Sequence, residues 1–261
     1  MFYPNLTELA TSQGYQRFFK VVPALSAALR AENYRIRHEV YCRELGFEPM
    51  REDGMETDAF DQQSVHCLVQ SATTGAYVGC ARLVLVDPER PLAPLPFEVS
   101  CKSTLDRSIV DPMHLDRPRI AEISRLAVIG SYRRRHGENS KPISISDADF
   151  GSEQQPRQPY LALAVYLAII ALASLYGVTT LFVLTEPRLA AILSRGGFSL
   201  EQIGGAVEHR GTRLPLMMSV DRTSEEMRLP LRALFSVILE EVRAGVEASG
   251  SEAVRARHRP L

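Results

Sequence analysis

Between Tyr160 and Thr185 the chain carries no charged residue, reading YLALAVYLAIIALASLYGVTTLFVLT. Any fold this chain adopts has to cover that segment, because apolar surface left in water costs roughly 25 cal/mol per Å². A bilayer span needs about 20 apolar residues in a row, so length by itself allows a membrane helix. The punctuation argues for something else. Gly177 divides the stretch, and the VTTLFVL behind it is rich in β-branched residues. That order predicts an apolar helix of about 16 residues, a glycine stop and a buried strand.

The rest of the chain has the means to bury such a segment. With 261 residues, 45% hydrophobic and 23% charged, the composition is that of an ordinary globular protein. A chain of this length buries about 70–75% of its unfolded surface without a metal or disulfide staple. Thirty Lys and Arg against 31 Asp and Glu leave a formal charge of -1, which argues against a general nucleic-acid binder. Cys42, Cys67, Cys80 and Cys101 form no C-x-x-C pair, and the six histidines show no ligand spacing, so no metal site is written here. The N-terminal sequence lacks the positive-then-apolar order of a secretory signal. Together with the unpaired cysteines, this predicts a cytoplasmic protein.

Local patterns place further elements. RFFKVV at 17–22 reads as a short strand, and Leu25–Leu45 as a helix stopped by Gly46. Residues 48–62 are acidic and turn-rich, which predicts a loop. HCLVQ at 66–70 and AYVGCARLVLV at 76–86, joined by ATTG, predict a β-hairpin. Four prolines between Asp87 and Pro96 make a loop, and strand character returns after Pro118 in EISRLAVI. A long polar insert follows, at about 131–159. Beyond the apolar helix and strand, EPRLAAILSR predicts a helix ended by Gly196 and Gly197, LPLMMSV at 214–220 a last strand, and 225–248 a C-terminal helix. This order describes one mixed α/β domain over residues 1–249, with a polar basic tail at 250–261.

Charged residues interrupt the apolar pattern at four places. RIRHEVYCRELGF sets Arg37 and Tyr41 four apart, on one helix face. ETDAFDQQ holds Asp58 and Asp61, GCARLVL supplies Arg82, and EISRLAV puts Glu122 and Arg125 into what otherwise reads as a central strand. Buried charges need partners. Three acids, Asp58, Asp61 and Glu122, therefore face three bases, Arg37, Arg82 and Arg125, as a candidate internal ionic cluster.

The four segments resemble a known pattern. R-x-x-x-Y followed by L-G-F, D-x-F-D behind an acidic loop, G-C-A-R-L, and E-I-S-R-L-A-V occur in the order and rough spacing of acyl-homoserine-lactone (autoinducer) synthases and the related long-chain N-acyl amino acid synthases. The resemblance spans about residues 30–200. Within that group the chain looks most like the acyltransferases associated with the PEP-CTERM/exosortase system, which the later HRGTRLPLMMSV segment also resembles. It implies the GNAT acyltransferase fold (an α/β, α+β arrangement with a mixed central sheet flanked by helices) and transfer of an acyl chain from acyl carrier protein to an amine. The family's cluster falls on Arg37, Tyr41, Phe47, Asp58, Asp61, Arg82, Glu122 and Arg125. Lactone synthases carry tryptophan where Phe47 stands and phenylalanine where Tyr41 stands. Both positions belong to the acceptor side, which puts S-adenosylmethionine as acceptor in doubt.

The resemblance also implies roles. Glu122 is the candidate base, directly or through one water, because an amine attacks a thioester only after losing its proton. Arg82 or Arg125 would pair with an acceptor carboxylate, and a strand N–H near Leu126 would take the oxyanion. After LAVI the chain runs GSYRRRHGENSKP, without the glycine-spaced turn that holds a coenzyme A pyrophosphate. That predicts acyl carrier protein, bearing a 4'-phosphopantetheine thioester, in preference to acyl-CoA, with Arg133, Arg134 and Arg135 docking the carrier and no permanently bound cofactor. A lipid product would bring peripheral membrane contact. Two other readings stay open at this point: a lactone synthase using S-adenosylmethionine, and a non-catalytic GNAT-like module that binds lipid or carrier protein.

Overall fold

The computed structural model describes residues 14–111, 113–133, 141–143 and 160–250. Most of the polar insert and the basic tail, including Arg134 and Arg135, lie outside the described residues. Strand β1 (Phe19–Pro23) leads into helix α1 (Ala27–Arg37), capped by the Ser26 side chain on the Leu29 N–H. The helix expected to run through Leu45 changes character on the way. From His38 to Glu44 it widens into a π-helix, closed by the Leu45 N–H on the Val40 carbonyl, and Gly46 ends it at φ 61°. A short 3₁₀ turn (Ala59–Gln63) then precedes the hairpin of β2 (Ser64–Ser71) and β3 (Tyr77–Leu85). The proline-rich loop ends on Pro96, which opens the short helix α2 (Pro96–Ser100) at a position where its missing N–H costs nothing. Strand β4 (Ile120–Val128) follows.

The uncharged segment forms helix α3 (Tyr160–Leu175), then Gly177 at φ 69°, then strand β5 (Thr180–Thr185). The expected helix–glycine–strand order is borne out, and among the described residues no helix is long and apolar enough to cross a membrane. Helix α4 (Pro187–Arg195), two short strands that the pattern did not suggest, β6 (Leu200–Gln202) and β7 (Val207–Glu208), and strand β8 (Thr212–Ser219) come next. The chain closes with α5 (Val220–Glu226) and α6 (Leu229–Ala248).

The strands form one eight-stranded sheet in the order β1-β2-β3-β4-β5-β8-β6, with β7 pairing the end of β8. Every pairing is antiparallel except β4 with β5, where α3 makes the crossover that parallel neighbours require. Alternation along β2 and β3 sends Cys67, Val69, Ala81 and Leu83 into the core under α3 and α6, and Leu68 and Cys80 toward α1. Arg82, the register partner of Ser124, lies in the same alternating set as Cys80 and Val84. Its charged head is therefore carried by the face opposite α3. The mixed α/β architecture with flanking helices agrees with the sequence reading.

Two irregularities in β4 open the sheet. Cys80 pairs Ala127 and Arg82 pairs Ser124, so Arg125 and Leu126 together stand opposite Ala81 in a β-bulge. Arg125 sits at φ 51°, a left-handed conformation that a branched or long side chain adopts at a cost. The bulge resets the alternation: Ile123 and Leu126, three apart, both reach the α3 core. Beyond Ile123, paired with Val183, the β4–β5 ladder ends and the two strands separate.

Close packing at the far side of the sheet can be tested at one glycine. Gly197, at φ 90°, would place a Cβ 2.3 Å from the Glu226 carbonyl oxygen. Gly197→Ala therefore meets both backbone strain and a clash with main chain, and a loss of at least about 2 kcal/mol is expected. At roughly 2–4 °C per kcal/mol for a chain of this size, thermal denaturation should show a fall of about 4 °C or more.

Candidate active site

Where β4 and β5 part, they leave a cavity of about 300 Å³, lined by Glu122, Ser124, Arg125 and Leu126 on one side and Leu184, Thr185 and Leu189 on the other. Tyr41, Phe47, Asp58 and Arg82 also face it, as does Tyr166 from α3. Arg37 and Asp61 stand behind this wall. The residues singled out in the sequence within the described range thus converge on one place, with Arg133 the exception.

The wall is held by a buried ionic network. Asp58 and Asp61 bracket the 3₁₀ turn as a capping box: Asp58 accepts from the Phe60 N–H at 2.9 Å, and Asp61 from the Asp58 N–H at 2.7 Å. Both carboxylates are therefore oriented by backbone before any arginine arrives. The Arg37 side chain has no exposed surface and donates through Nη1 and Nη2 to the two Asp61 oxygens, at 2.6 and 3.0 Å. Its Nε donates to Glu56 at 2.5 Å. Arg82 spans Asp58 at 2.6 Å, Asp61 at 3.0 Å and the Ser124 hydroxyl at 3.0 Å. From the bulge, Arg125 reaches Glu56 and Asp58, each at 3.1 Å, and Glu48 at 3.4 Å. Tyr34 and Tyr41 lie against the Arg37 and Arg125 guanidinium groups, and the Tyr41 hydroxyl donates to the Leu126 carbonyl at 2.9 Å.

This network corrects the expected three-against-three cluster. Glu122 makes no ion pair in it. Glu56 takes that place, with Glu48 at the edge. Glu56 and Glu48 came from an acidic loop in which neither stands out by type or spacing from Glu52 and Asp53, which remain exposed. Burial works to raise the Glu56 carboxyl, but Arg125 and Arg37 outweigh it and hold the group at about 2. Asp61 is likewise pushed up by burial and pulled further down by Arg37 and Arg82.

Glu122 has the opposite surroundings. It is 3% exposed, and burial raises its carboxyl to about 8 despite the Phe97 N–H that donates to Oε2 at 2.6 Å. A carboxyl that changes charge near neutrality, beside a cavity, has the pKa of a general base.

The basic insert departs from expectation. Arg133 is buried, donating to the Val128 carbonyl at 2.5 Å and pairing with Glu44, so it offers no exposed charge to a docking partner. Glu44 also accepts from the Gly130 N–H at 2.8 Å. The π-helix thus delivers a carboxylate to the turn after β4. The segment HRGTR, at the β7–β8 turn, brings in residues not foreseen as part of the site. His209, Arg210 and Arg213 line the cavity, Arg213 paired with Glu186 at 3.0 Å and Arg210 with Glu48. Among the described residues no group of His, Cys, Asp or Glu is arranged to hold a metal.

Removing Arg37 would leave Glu56 and Asp61 short of a buried partner. Arg37→Met is expected to cost about 3–5 kcal/mol in urea denaturation. The acid side gives a second check. The folded value for Glu56 lies below its unfolded value of about 4.5, so its contribution is complete above that pH and is lost as pH falls toward 2. Denaturation midpoints measured from pH 6 to pH 2.5 should decline across that window, and less steeply in Glu56→Gln.

Residues 36–140 match the family model described as acetyltransferase (GNAT) domain. No curated protein matches the chain. Among solved structures, the acyl-homoserine-lactone (AHL) synthase LasI superposes with a TM-score of 0.54 at 16% identity, covering 80% of this chain and 93% of that one. BjaI, a CoA-dependent acyl-homoserine lactone synthase solved with SAM and isopentyl-CoA, gives 0.55 at 17% identity over 85% of this chain and 89% of its own. FeeM, an N-acyl amino acid synthase from uncultured soil microbes, gives 0.52 at 12% identity over 81% and 96%. At these identities the likeness establishes the fold. Residues 36–140 are thus similar to a GNAT acetyltransferase domain, and the chain has the fold seen in acyl-homoserine-lactone synthases and FeeM.

Proposed function

We propose that this protein is an acyltransferase that moves a long-chain acyl group from acyl carrier protein to the α-amine of an amino acid. The observation that carries this reading is Glu122, a buried carboxyl raised to about 8 at the point where β4 and β5 separate. The amine nitrogen attacks the thioester carbonyl and Glu122 takes its proton, directly or through one water. The C–S bond then breaks, the thiol leaves on the carrier's phosphopantetheine, and an amide remains. Backbone at the bulge, at Leu126, is the candidate for the oxyanion. Leu126, Ile143, Leu184 and Leu189 supply an apolar side for the start of the acyl chain.

Two features favour this donor and acceptor. In the turn after β4, the Gly130 N–H and the Arg133 guanidinium are both engaged by Glu44. A carboxylate placed there repels the pyrophosphate of coenzyme A, whereas carrier-bound pantetheine brings none to that turn. On the acceptor side, Asp58 and Glu186 are engaged by arginines, and Glu122 is neutral over most of the range below pH 8. The wall is thereby suited to an acceptor bearing a carboxylate more than to the sulfonium of S-adenosylmethionine. A carrier-protein donor implies a cytoplasmic reaction.

The reading is tested by incubating the protein with acyl carrier protein loaded with a long acyl chain and a mixture of amino acids, and identifying lipid-soluble products by mass spectrometry. An N-acyl amino acid is expected; lactone formed only with S-adenosylmethionine would replace this assignment. Glu122→Gln should fold and lose transfer, while undiminished turnover would remove Glu122 as base. In the active protein kcat/KM should rise with pH along a limb centred near 8, since the base acts deprotonated. Because folding raises this carboxyl above its unfolded value, its stability contribution is full below about 4.5 and is lost as pH rises through 8. Glu122→Gln should therefore gain stability relative to the parent at pH 9 and not at pH 4.

A further inference from the structure

Arg82 and Arg125 were both candidates to hold an acceptor carboxylate, and the network changes their standing. Arg82 is almost fully buried and spends Nη1 and Nε on Asp58, Asp61 and Ser124. Arg125 spends Nε and Nη2 on Glu56, Asp58 and Glu48, while its Nη1 makes no hydrogen bond among the described residues. A second guanidinium stands beside it. Arg210 sits at φ 54° in the β7–β8 turn, ahead of Gly211 at φ 92°. That backbone lays the Arg210 guanidinium over the Phe47 ring, 5.8 Å from its centroid. Its carbonyl accepts from Arg213 Nη2 at 3.0 Å, which fixes the turn from inside.

One oxygen joins the two arginines. Glu48 Oε1 accepts from Arg125 Nη2 at 3.4 Å and also from Arg210 Nη2. Glu48 does not line the cavity, whereas Arg125, Arg210 and Phe47 do. The carboxylate thus draws the two guanidinium groups together from behind. Among the described residues, Nη1 of Arg125 and both Nη1 and Nε of Arg210 have no protein acceptor. Both side chains are partly shielded, at 17% and 26% exposure, so a charge-assisted bond made there is stronger than one in open solvent.

We propose that Arg125 and Arg210 together form the subsite for the acceptor's carboxylate, with Glu48 as the positioning residue that holds the pair. The ligand class is an α-amino acid, or another amine bearing a carboxylate close to the nitrogen. The proposal rests on the amide-forming reading above and adds to it the side chains that select the acceptor. It also assigns a use to the left-handed turn at Arg210: strain of this kind persists where surrounding structure holds it for a purpose.

The test compares a preferred amino acid, found in the product screen, with its carboxamide, using the full chain and acylated carrier protein. Arg210→Gln is expected to lower kcat/KM for the free acid at least about tenfold more than for the carboxamide, chiefly through KM, as befits loss of one charged hydrogen-bond partner. Arg210→Lys should restore part of the preference, and Glu48→Gln should weaken it in the same direction. Equal losses for acid and amide in Arg210→Gln, or an unchanged preference, would overturn the subsite while leaving the acyltransfer reading in place. No transfer to any amino acid by the parent protein would overturn that reading and the subsite with it.

Discussion

A guanidinium with no exposed surface, Arg37, is the constraint from which much of this structure follows. Removing such a group from water costs several kcal/mol, and only well-placed acceptors return it. The chain meets the demand with a capping box that orients Asp61 through backbone and with Glu56 from the same loop. Those acids in turn need more cations than Arg37 supplies, and β3 and β4 deliver Arg82 and Arg125. A helix, a loop and two strands are thereby fixed to one another on the sheet face opposite α3. The acids end far below ordinary carboxylate values, so they are charged at neutral pH.

The same strand serves two environments a short distance apart. Ser124 and Arg125 belong to the charged network, whereas Glu122 is set against apolar neighbours and the Phe97 N–H. Burial outweighs the more distant Arg82 and Arg125 and raises the Glu122 carboxyl to about 8, whereas arginines in direct contact keep Glu56 ionised. The bulge makes both possible. It turns Arg125 out of the ordinary alternation toward the acids, returns Leu126 to the core side, and coincides with the end of the β4–β5 ladder where the cavity lies.

Much of this was legible in the residues, and the gaps have physical causes. The apolar run with its glycine read correctly because helix and strand differ in length and branching, both visible locally. Arg37, Tyr41, Asp58, Asp61, Arg82, Glu122 and Arg125 stand in the four segments that carry the family resemblance, and Glu122 is conspicuous besides as a charge within an apolar strand. Which partner each charge takes was not legible. Glu56 is one acid of several in a loop, and only the position of Arg37 distinguishes it from Glu52. Glu122 reads as part of the cluster because a charge in an otherwise apolar strand needs a partner, and the Phe97 N–H fills that place instead of an arginine. The role of Arg133 was misread because charge in a polar segment suggests solvent, while here a carboxylate from the π-helix draws it inward. Arg210 depends on a turn conformation that composition does not encode.

Helix α3 has one more consequence, for the order in which the protein is made. It packs on β1 to β4, which precede it in the chain, and on α6, which comes after it. A nascent chain therefore has the sheet side of this helix ready when the apolar segment leaves the ribosome. The other side stays open until Leu229–Ala248 has been synthesised. During that interval an uncharged helix is half covered, and chaperone binding or aggregation would compete with folding there. The arrival of α6 closes the window, so this helix bears on the timing of folding as well as on the fold.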